Sequence, residues 1–331
     1  MTTPRETDVV ARFAHRHRLH PVEALPWLLI VAGFFLFPDY LALGAQILAT
    51  TLFGLSVDLV LGYAGIVTLG HAAFFGMGAY TAGYLAAHGM GAPVVGMIAA
   101  MAMGGAVGFL SGLIILRAQG LSILMLTLVV CVMLQEVANK ATSITGGADG
   151  LQGMQVSPVL GLFRFDLYGK TAYWYAAIVL FLGWVVARTL VHSPFGRSLT
   201  GIRENVARMH AIGTPVFGRL LTIYTISAAM AGAAGALIAE TTQLVALNSL
   251  SVDLSGLILV MVIFGGVGRL YGAFVGVPLY MIAQDRFSQI DPTYWYFWIG
   301  LLLVVVVLFA RGGVLGLIDL SWQWLQRPRQ R

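Results

Sequence analysis

Charge is the first property that this sequence lacks. Only 10% of the 331 residues are Asp, Glu, Lys or Arg, whereas 59% are hydrophobic. A water-soluble domain carries about 25% charged residues, because its surface has to be solvated. The composition therefore excludes a soluble globular protein and predicts a polytopic membrane protein of the all-α class.

Cysteine and catalytic motifs are equally scarce. The single cysteine, Cys131, lies in an apolar run and excludes an intrachain disulfide. The seven histidines form no metalloprotease pattern, and neither a serine nucleophile elbow nor a close carboxylate pair is present. Gly169-Lys170-Thr171 looks like the end of a phosphate-binding loop, but Arg164 stands where that loop needs its first glycine. We therefore expect no catalytic residue, no metal site and no bound cofactor in this chain.

Apolar segments fill most of the sequence. Several of them are shorter than the roughly 20 residues that a spanning helix needs, so we expect tilted, interrupted or re-entrant helices among them. The ten candidate spans are 24–37, 41–61, 66–87, 93–116, 121–137, 173–191, 217–238, 254–267, 271–285 and 294–310.

The basic residues indicate an orientation, because cytoplasmic loops are rich in Lys and Arg. About ten transmembrane helices with both termini cytoplasmic place fifteen of the nineteen basic residues inside. The four outside are Lys140, Arg164, Lys170 and Arg286. We therefore predict a cytoplasmic tail over 1–23, a transmembrane domain over 24–318 and a cytoplasmic tail over 319–331. This scattered charge makes no basic stripe, so nucleic acid is not an expected partner.

Two polar segments interrupt the transmembrane domain: a periplasmic loop at about 138–172 and a cytoplasmic loop at about 192–219. The cytoplasmic loop has apolar residues at helical spacing from about Leu199 to Ile212, and Gly213 follows them. This pattern predicts one amphipathic helix that either lies on lipid or docks in a groove of a soluble partner. Its docking face would be Ile202, Val206 and Met209.

Polar residues at membrane depth are expensive and therefore functional candidates. Asp58 precedes the glycine-rich stretch Gly62–Gly65, and we expect an interrupted helix there. A structural role, with Asp58 bonded to a neighbouring helix and His71 neutral, is slightly favoured over contact with a substrate. Glu136 and Glu240 are expected to be solvated at the outer ends of spans. The candidates for a translocation path are Asp58, Tyr63, Thr68, His71 and Thr127.

Six ordered motifs resemble one family, the LivM-type membrane permeases of branched-chain amino acid ABC importers. The resemblance covers nearly the whole chain from Leu55 onward. The motifs are GYAGIVTLGHAAFFGMGAYTA at 62–82, Arg117 with Gly120, Thr127 and Leu128, TGGADGL at 145–151, SPFGRSLTGIRE at 193–204, FGGVGRLYGAFVG at 264–276, and Arg311-Gly312 through Gly316-Leu317. The chain departs from the family pattern at Asp58, Val206, Arg208, His210 and Asn248.

The resemblance implies an import subunit in a bacterial inner membrane. Its partners would be a second homologous permease, two cytosolic ATPases that hold ATP and Mg²⁺, a periplasmic solute-binding protein and membrane lipid. In this family the cytoplasmic loop is similar to the coupling helices that seat on the ATPase, which favours docking over the lipid surface. The coupling residues implied are Ser193, Pro194, Phe195, Gly196, Arg197, Ile202, Arg203, Glu204, Val206 and Gly213.

The substrate and two other classes of protein stay open. Branched-chain amino acids lead, followed by urea, short amides and aromatic acids, since the binding protein supplies most of the selectivity in such importers. An ion-coupled secondary transporter would need a chain of ionisable residues inside the membrane, and the sequence offers little beyond Asp58. A membrane enzyme would need a catalytic constellation that is not present in the sequence.

Overall fold

The computed structural model describes residues 21–159, 161, 163, 166, 169–309 and 313–316. Within these residues the chain is helical, and its strand-like contacts are two isolated bridges, Leu151 with Val245 and Val159 with Phe163. Most of the predicted N-terminal tail, the whole C-terminal tail, Arg164, and Arg311, Gly312 and Leu317 of the last motif lie outside the described part.

Each of the ten apolar segments contains a helix, and two further helices lie in the predicted cytoplasmic loop. In chain order they are α1 (Leu25–Leu36), α2 (Leu41–Asp58), α3 (His71–Ala87), α4 (Pro93–Ile115), α5 (Leu121–Lys140), α6 (Lys170–His192), α7 (Pro194–Glu204), α8 (Val206–Ala211), α9 (Val216–Thr242), α10 (Val252–Gly265), α11 (Gly272–Ile290) and α12 (Trp295–Phe309).

Among the described residues, five stretches are long and apolar enough to cross a membrane. They are Pro38–Tyr63, Pro93–Ile115, Leu121–Lys140, Lys170–His192 and Val216–Thr242. Shorter apolar helices occur at Leu25–Leu36, Val252–Gly265 and Trp295–Val305. The all-α class and the polytopic membrane character are therefore confirmed, whereas the total of ten spans and the side of the termini stay predictions.

The core is built around α9, which packs against α2, α3 and α4. Small residues allow this close approach. A methyl group added at Gly104 would lie 2.7 Å from the carbonyl oxygen of Ala228, and one at Gly112 would lie 3.0 Å from the ring of Tyr224. Because lipid supplies no hydrophobic drive for helix association, contact between glycine and alanine faces brings these helices together through van der Waals packing.

The chain is interrupted between α2 and α3, as the glycines predict. A π turn at Leu59–Tyr63 ends α2, and non-helical backbone runs from there to His71. This backbone is enclosed only in part: Ile66 and Thr68 are buried and the Ile66 N–H donates to Val60 O at 3.0 Å, whereas Gly65 and Val67 are exposed. The N–H of Ala72 donates to Ser255 Oγ at 2.9 Å, so the first turns of α3 and α10 meet inside the protein.

The prediction of one amphipathic helix from Leu199 to Ile212 was wrong. Asn205 breaks it into α7 and α8 by taking an extended conformation, with φ −159° and ψ 99°. The Asn205 side chain then caps α8, because its Oδ1 accepts the Arg208 N–H at 2.9 Å. Gly213 follows α8 in the left-handed region, with φ 79°, as expected of a glycine after a helix.

Candidate functional site

Three segments meet where α7 touches the membrane domain, and we call this place the junction. Its parts are the π turn Leu59–Tyr63, the turn Gly266–Gly268 and the last turn of α7. The Gly268 N–H donates to Asp58 Oδ1 at 2.7 Å, and Nη1 of Arg203 donates to the carbonyl oxygen of Gly62. The junction therefore links the predicted cytoplasmic loop to two sequence-distant parts of the membrane domain.

Glycine makes the junction possible. A methyl group at Gly62 would lie 2.5 Å from the backbone nitrogen of Gly268, so no side chain fits between the two segments. Gly65 has φ 73°, a conformation that costs other residues about 1 kcal/mol. The aliphatic part of the Arg203 side chain lies against this exposed glycine, because a methyl group at Gly65 would lie 2.6 Å from Arg203 Cγ. Because Gly62 and Gly65 have no side chains, Arg203 can reach the Gly62 carbonyl.

Asp58 is buried at the junction. Its side chain is 1% exposed, and one oxygen accepts the Gly268 N–H. The second oxygen, Oδ2, has no hydrogen-bond partner among the described residues. Whether Asp58 has the structural role that the sequence slightly favoured, or contacts a substrate, stays a prediction. Tyr63, another candidate for the path, is partly buried and packs against the core beside this acid.

The other path candidates form a second group at the start of α3. The Ser227 hydroxyl donates its only proton to Ser56 O at 2.5 Å. The Ser227 oxygen therefore accepts a hydrogen bond from His71 Nε2, which lies 2.7 Å away. This assigns the proton of the buried imidazole to Nε2. Thr68 accepts the Gly70 N–H at 3.1 Å, and Thr127 accepts the Leu69 N–H at 3.2 Å. These side chains stabilise the interrupted backbone.

The coupling candidates divide between the two cytoplasmic helices. Ser193 caps α7 by accepting the Gly196 N–H at 3.3 Å, with Pro194 in the first turn. The guanidinium of Arg219 lies 5.4 Å from the centre of the Phe195 ring. Ile202, expected on a docking face, is instead 2% exposed inside this chain, whereas Val206 is 46% exposed. The single docking face of Ile202, Val206 and Met209 is therefore not formed.

The family model described as "Branched-chain amino acid transport system / permease component" matches residues 40–307, which is most of the chain. The chain belongs to this permease family. The matched range contains the π turn, α7, α8 and the Gly266–Gly268 turn, so the whole junction lies within the family domain. The resemblance read from the sequence motifs is thereby confirmed.

Curated relatives carry the same description. The chain is 26% identical to the "High-affinity branched-chain amino acid transport system permease protein LivM" of Salmonella typhimurium and 27% identical to the protein of the same name from Escherichia coli. Each match extends over 283 residues and covers 79% of this chain and 66% of the relative. A "Probable branched-chain amino acid transport permease protein LivM" of Methanocaldococcus jannaschii is 27% identical over 136 residues, covering 41% of this chain and 39% of the relative. The chain thus spans about two thirds of the length of the two bacterial relatives. No solved structure matches it.

Sequence reasoning missed one buried acid of this permease. Glu136 is exposed as expected, but Glu240 is 3% exposed, so its expected solvation was wrong. Its Oε1 is close to Gly96, since a methyl group there would lie 2.8 Å away, and Tyr175 is a further neighbour. The sequence contained an indication of this burial. Glu240 follows Gly232 and Ala236 at four-residue spacing, which puts it on the same packed face of α9.

Proposed function

We propose that this permease is the transmembrane subunit of an ATP-driven ABC importer. It moves a small polar solute from a periplasmic binding protein into the cytoplasm of a bacterium by alternating access. Branched-chain amino acids are the leading solutes, because the matching family and the curated relatives carry that name. Urea, short amides and aromatic acids are the alternatives within the same class.

The proposed assembly contains a second homologous permease and two cytosolic ATPases, which hold ATP and Mg²⁺. The chain crosses the inner membrane about ten times with both termini cytoplasmic. The distribution of basic residues supports this orientation, since four of the nineteen fall in the outer segments. A periplasmic reporter fused after Gly153 should be active and one fused after Arg203 silent; the reverse pattern would contradict the topology.

The observation that carries the coupling mechanism is the contact of Arg203 with the Gly62 carbonyl. The rest of α7 is held by buried Leu199 and Ile202, so the helix moves only with the segments that it touches. A displacement of α7 by an ATPase therefore pulls on the π turn and, through Asp58 and Gly268, on the start of α11. We propose that this chain of contacts couples the ATPase surface energetically to the membrane domain.

The test uses the assembled transporter in proteoliposomes, with Arg203→Gln compared with Lys140→Gln at the exposed end of α5. A hydrogen bond to a charged group contributes about 1.5–3 kcal/mol, so we expect Arg203→Gln to lower solute-stimulated ATP hydrolysis and uptake by about tenfold or more. Lys140→Gln should change neither by more than about twofold. Co-purification of the ATPase shows whether assembly is preserved.

Two results would contradict the proposal. Full stimulated uptake by Arg203→Gln would exclude the junction as the coupling route. Solute uptake that continued after ATP depletion would exclude an ATP-driven importer and favour an ion-coupled transporter. Uptake of leucine, urea and phenylalanine, each measured with the cognate binding protein, would identify the solute.

A further inference from the structure

Helix α1 stands apart from the bundle. None of its residues is buried. Its contacts with the bundle are made mainly by ring side chains: the Trp27 ring meets Phe181, Trp184 and Phe274 at centroid distances of 5.0–5.5 Å. Near the other end of α1, the Phe34 ring lies 5.9 Å from the Tyr173 ring and 5.2 Å from the Trp174 ring. Between them, the Tyr173 hydroxyl donates to Ile30 O at 2.7 Å. Side chains therefore hold α1 at a distance, and a space is left between α1 and the helices behind it.

This space is a cleft of about 450 Å³ between α1, α2, α6 and α11. Its walls are mainly apolar, and its floor on α11 is formed by Phe274, Pro278 and Ile282 at four-residue spacing. Arg286 continues the same series. At 1.5 Å per residue, the series extends for about 18 Å along the helix. The cleft thus covers more than half of a hydrocarbon layer that is about 30 Å thick.

One end of the cleft is polar. Arg286 lies there, with its guanidinium 5.8 Å from the centre of the Tyr40 ring. The neighbouring Asp285 also lines the cleft, and its Oδ2 accepts a hydrogen bond from Gln289 Nε2 at 2.9 Å. No carboxylate of the described residues forms an ion pair with Arg286. The cleft therefore has a long apolar interior and a single cation beside an aromatic ring at one end.

We propose that this cleft binds one glycerophospholipid, with an acyl chain along α11 and the phosphate at Arg286. Water gains few hydrogen bonds in a space with apolar walls, whereas hydrocarbon fits it. Arginine binds phosphate oxygens through charge-assisted hydrogen bonds, and phosphate is the anion that every phospholipid carries next to its chains. In the proposed orientation Arg286 is at the outer membrane surface, which assigns the lipid to the outer leaflet.

The cation favours a lipid over a helix of the second permease as the occupant. An apolar helix could fill the cleft but would bring no anion to Arg286. A free phosphate ion would use Arg286 but would leave the apolar interior empty. A phospholipid satisfies the cation and the apolar walls together.

The experiment is a lipid titration of the detergent-purified, delipidated transporter with its partner subunits, monitored by native mass spectrometry. The probes are dioleoyl phosphatidylglycerol, dioleoylglycerol without a phosphate, and glycerol phosphate without chains. We expect one tight site for the phospholipid, binding weakened about tenfold for dioleoylglycerol, and no binding of glycerol phosphate. Binding of glycerol phosphate as tight as that of the phospholipid would assign Arg286 to a free anion instead.

Matched variants assign the site. Arg286→Gln should weaken phospholipid binding about tenfold, and Lys140→Gln, which removes an exposed cation at the end of α5, should not. Ile282→Trp fills the cleft and should abolish the tight site. Leu279→Trp, at an equally exposed position of α11 outside the cleft, should preserve it; the two side chains are 48% and 42% exposed. Unchanged binding in both Arg286→Gln and Ile282→Trp would overturn the proposal.

A cross-link distinguishes a lipid from a protein occupant. Cys131 is buried and donates to Leu250 O at 3.2 Å, so a cysteine introduced at Ile282 would be the reactive thiol of this chain. Cross-linking of that cysteine to the second permease in the assembled transporter would place a protein in the cleft and refute the lipid. The lipid stoichiometry is measured without any transport assay. A negative result would therefore refute the lipid site without contradicting the proposed import function.

Discussion

Helices α7 and α8 are neighbours in the chain, but only α7 is built into the membrane domain. Leu199 and Ile202 of α7 are 1% and 2% exposed, and the Arg203 that follows binds Gly62. Helix α8 has no buried residue, and its Val206 is 46% exposed. Asn205 thus divides one amphipathic sequence into an anchored half, α7, and an exposed half, α8, which we call the presented half.

In the proposed importer, this difference would give the two halves separate tasks. The anchored half can transmit displacement because it is packed against rigid helices, whereas the presented half is accessible to a partner. Met209 keeps the halves together, since its sulfur would lie 2.8 Å from a methyl group added at Gly201. We therefore expect substitutions in α7 to affect stability and substitutions in α8 to affect partner binding.

The largest effect should come from truncating a buried side chain of α7. Ile202→Ala should destabilise the permease by about 2–4 kcal/mol, because it leaves a cavity, whereas Val206→Ala should cost less than about 0.5 kcal/mol. Labelling of buried Cys131 with a thiol reagent during heating reports unfolding of the core. Equal temperature midpoints of Cys131 labelling in the two variants would show that α7 and α8 are not anchored differently.

The next effect concerns the support of α7 at the junction. Asp58→Leu should cost about 1–3 kcal/mol and reduce assembly, because the Gly268 N–H loses its acceptor. Asp58→Asn retains a carbonyl oxygen and should preserve assembly and most of the uptake. Co-purification of the ATPase and the midpoint of Cys131 labelling provide the measurements. Wild-type behaviour of the leucine variant would exclude a structural role for this acid.

A smaller effect should follow from removing the cap between the two helices. Asn205→Ala should destabilise α8 by about 1 kcal/mol, because the Arg208 N–H loses its side-chain acceptor, whereas Asn205→Asp retains the cap. Hydrogen exchange of α8 amides should rise in the alanine variant, while exchange in α7 stays unchanged. Faster exchange across both helices would mean that they open as one unit.

The smallest effect is expected at Glu204, which precedes Arg208 by four residues, the spacing of an ion pair within a single helix. The break at Asn205 puts these residues in different helices. Glu204→Gln should therefore change the free energy of unfolding by less than about 0.5 kcal/mol. A reduced affinity for the ATPase in this variant, measured by titration, would place Glu204 at the partner surface. A large loss of stability would reveal an intramolecular partner.

The sequence predicted the helices well because hydrophobic runs and glycine breaks act locally. The interruption after Asp58 and the left-handed Gly213 were found from neighbouring residues alone. The break at Asn205 was missed, because apolar spacing continues through it and only the capping preference of asparagine opposes it. The Arg203–Gly62 contact joins residues far apart in sequence, and no local pattern encodes such a pair.

The anchoring of α7 also has a consequence for the strength of partner binding. A flexible loop loses conformational entropy when a partner captures it, at about 0.5–1.5 kcal/mol for each immobilised side chain. Leu199 and Ile202 are already buried against the permease itself, so α7 would need no further ordering if the proposed ATPase docked beside it. The ordering cost of α7 is met during folding of the membrane domain, and the proposed partner would have to order only the exposed side chains of α8.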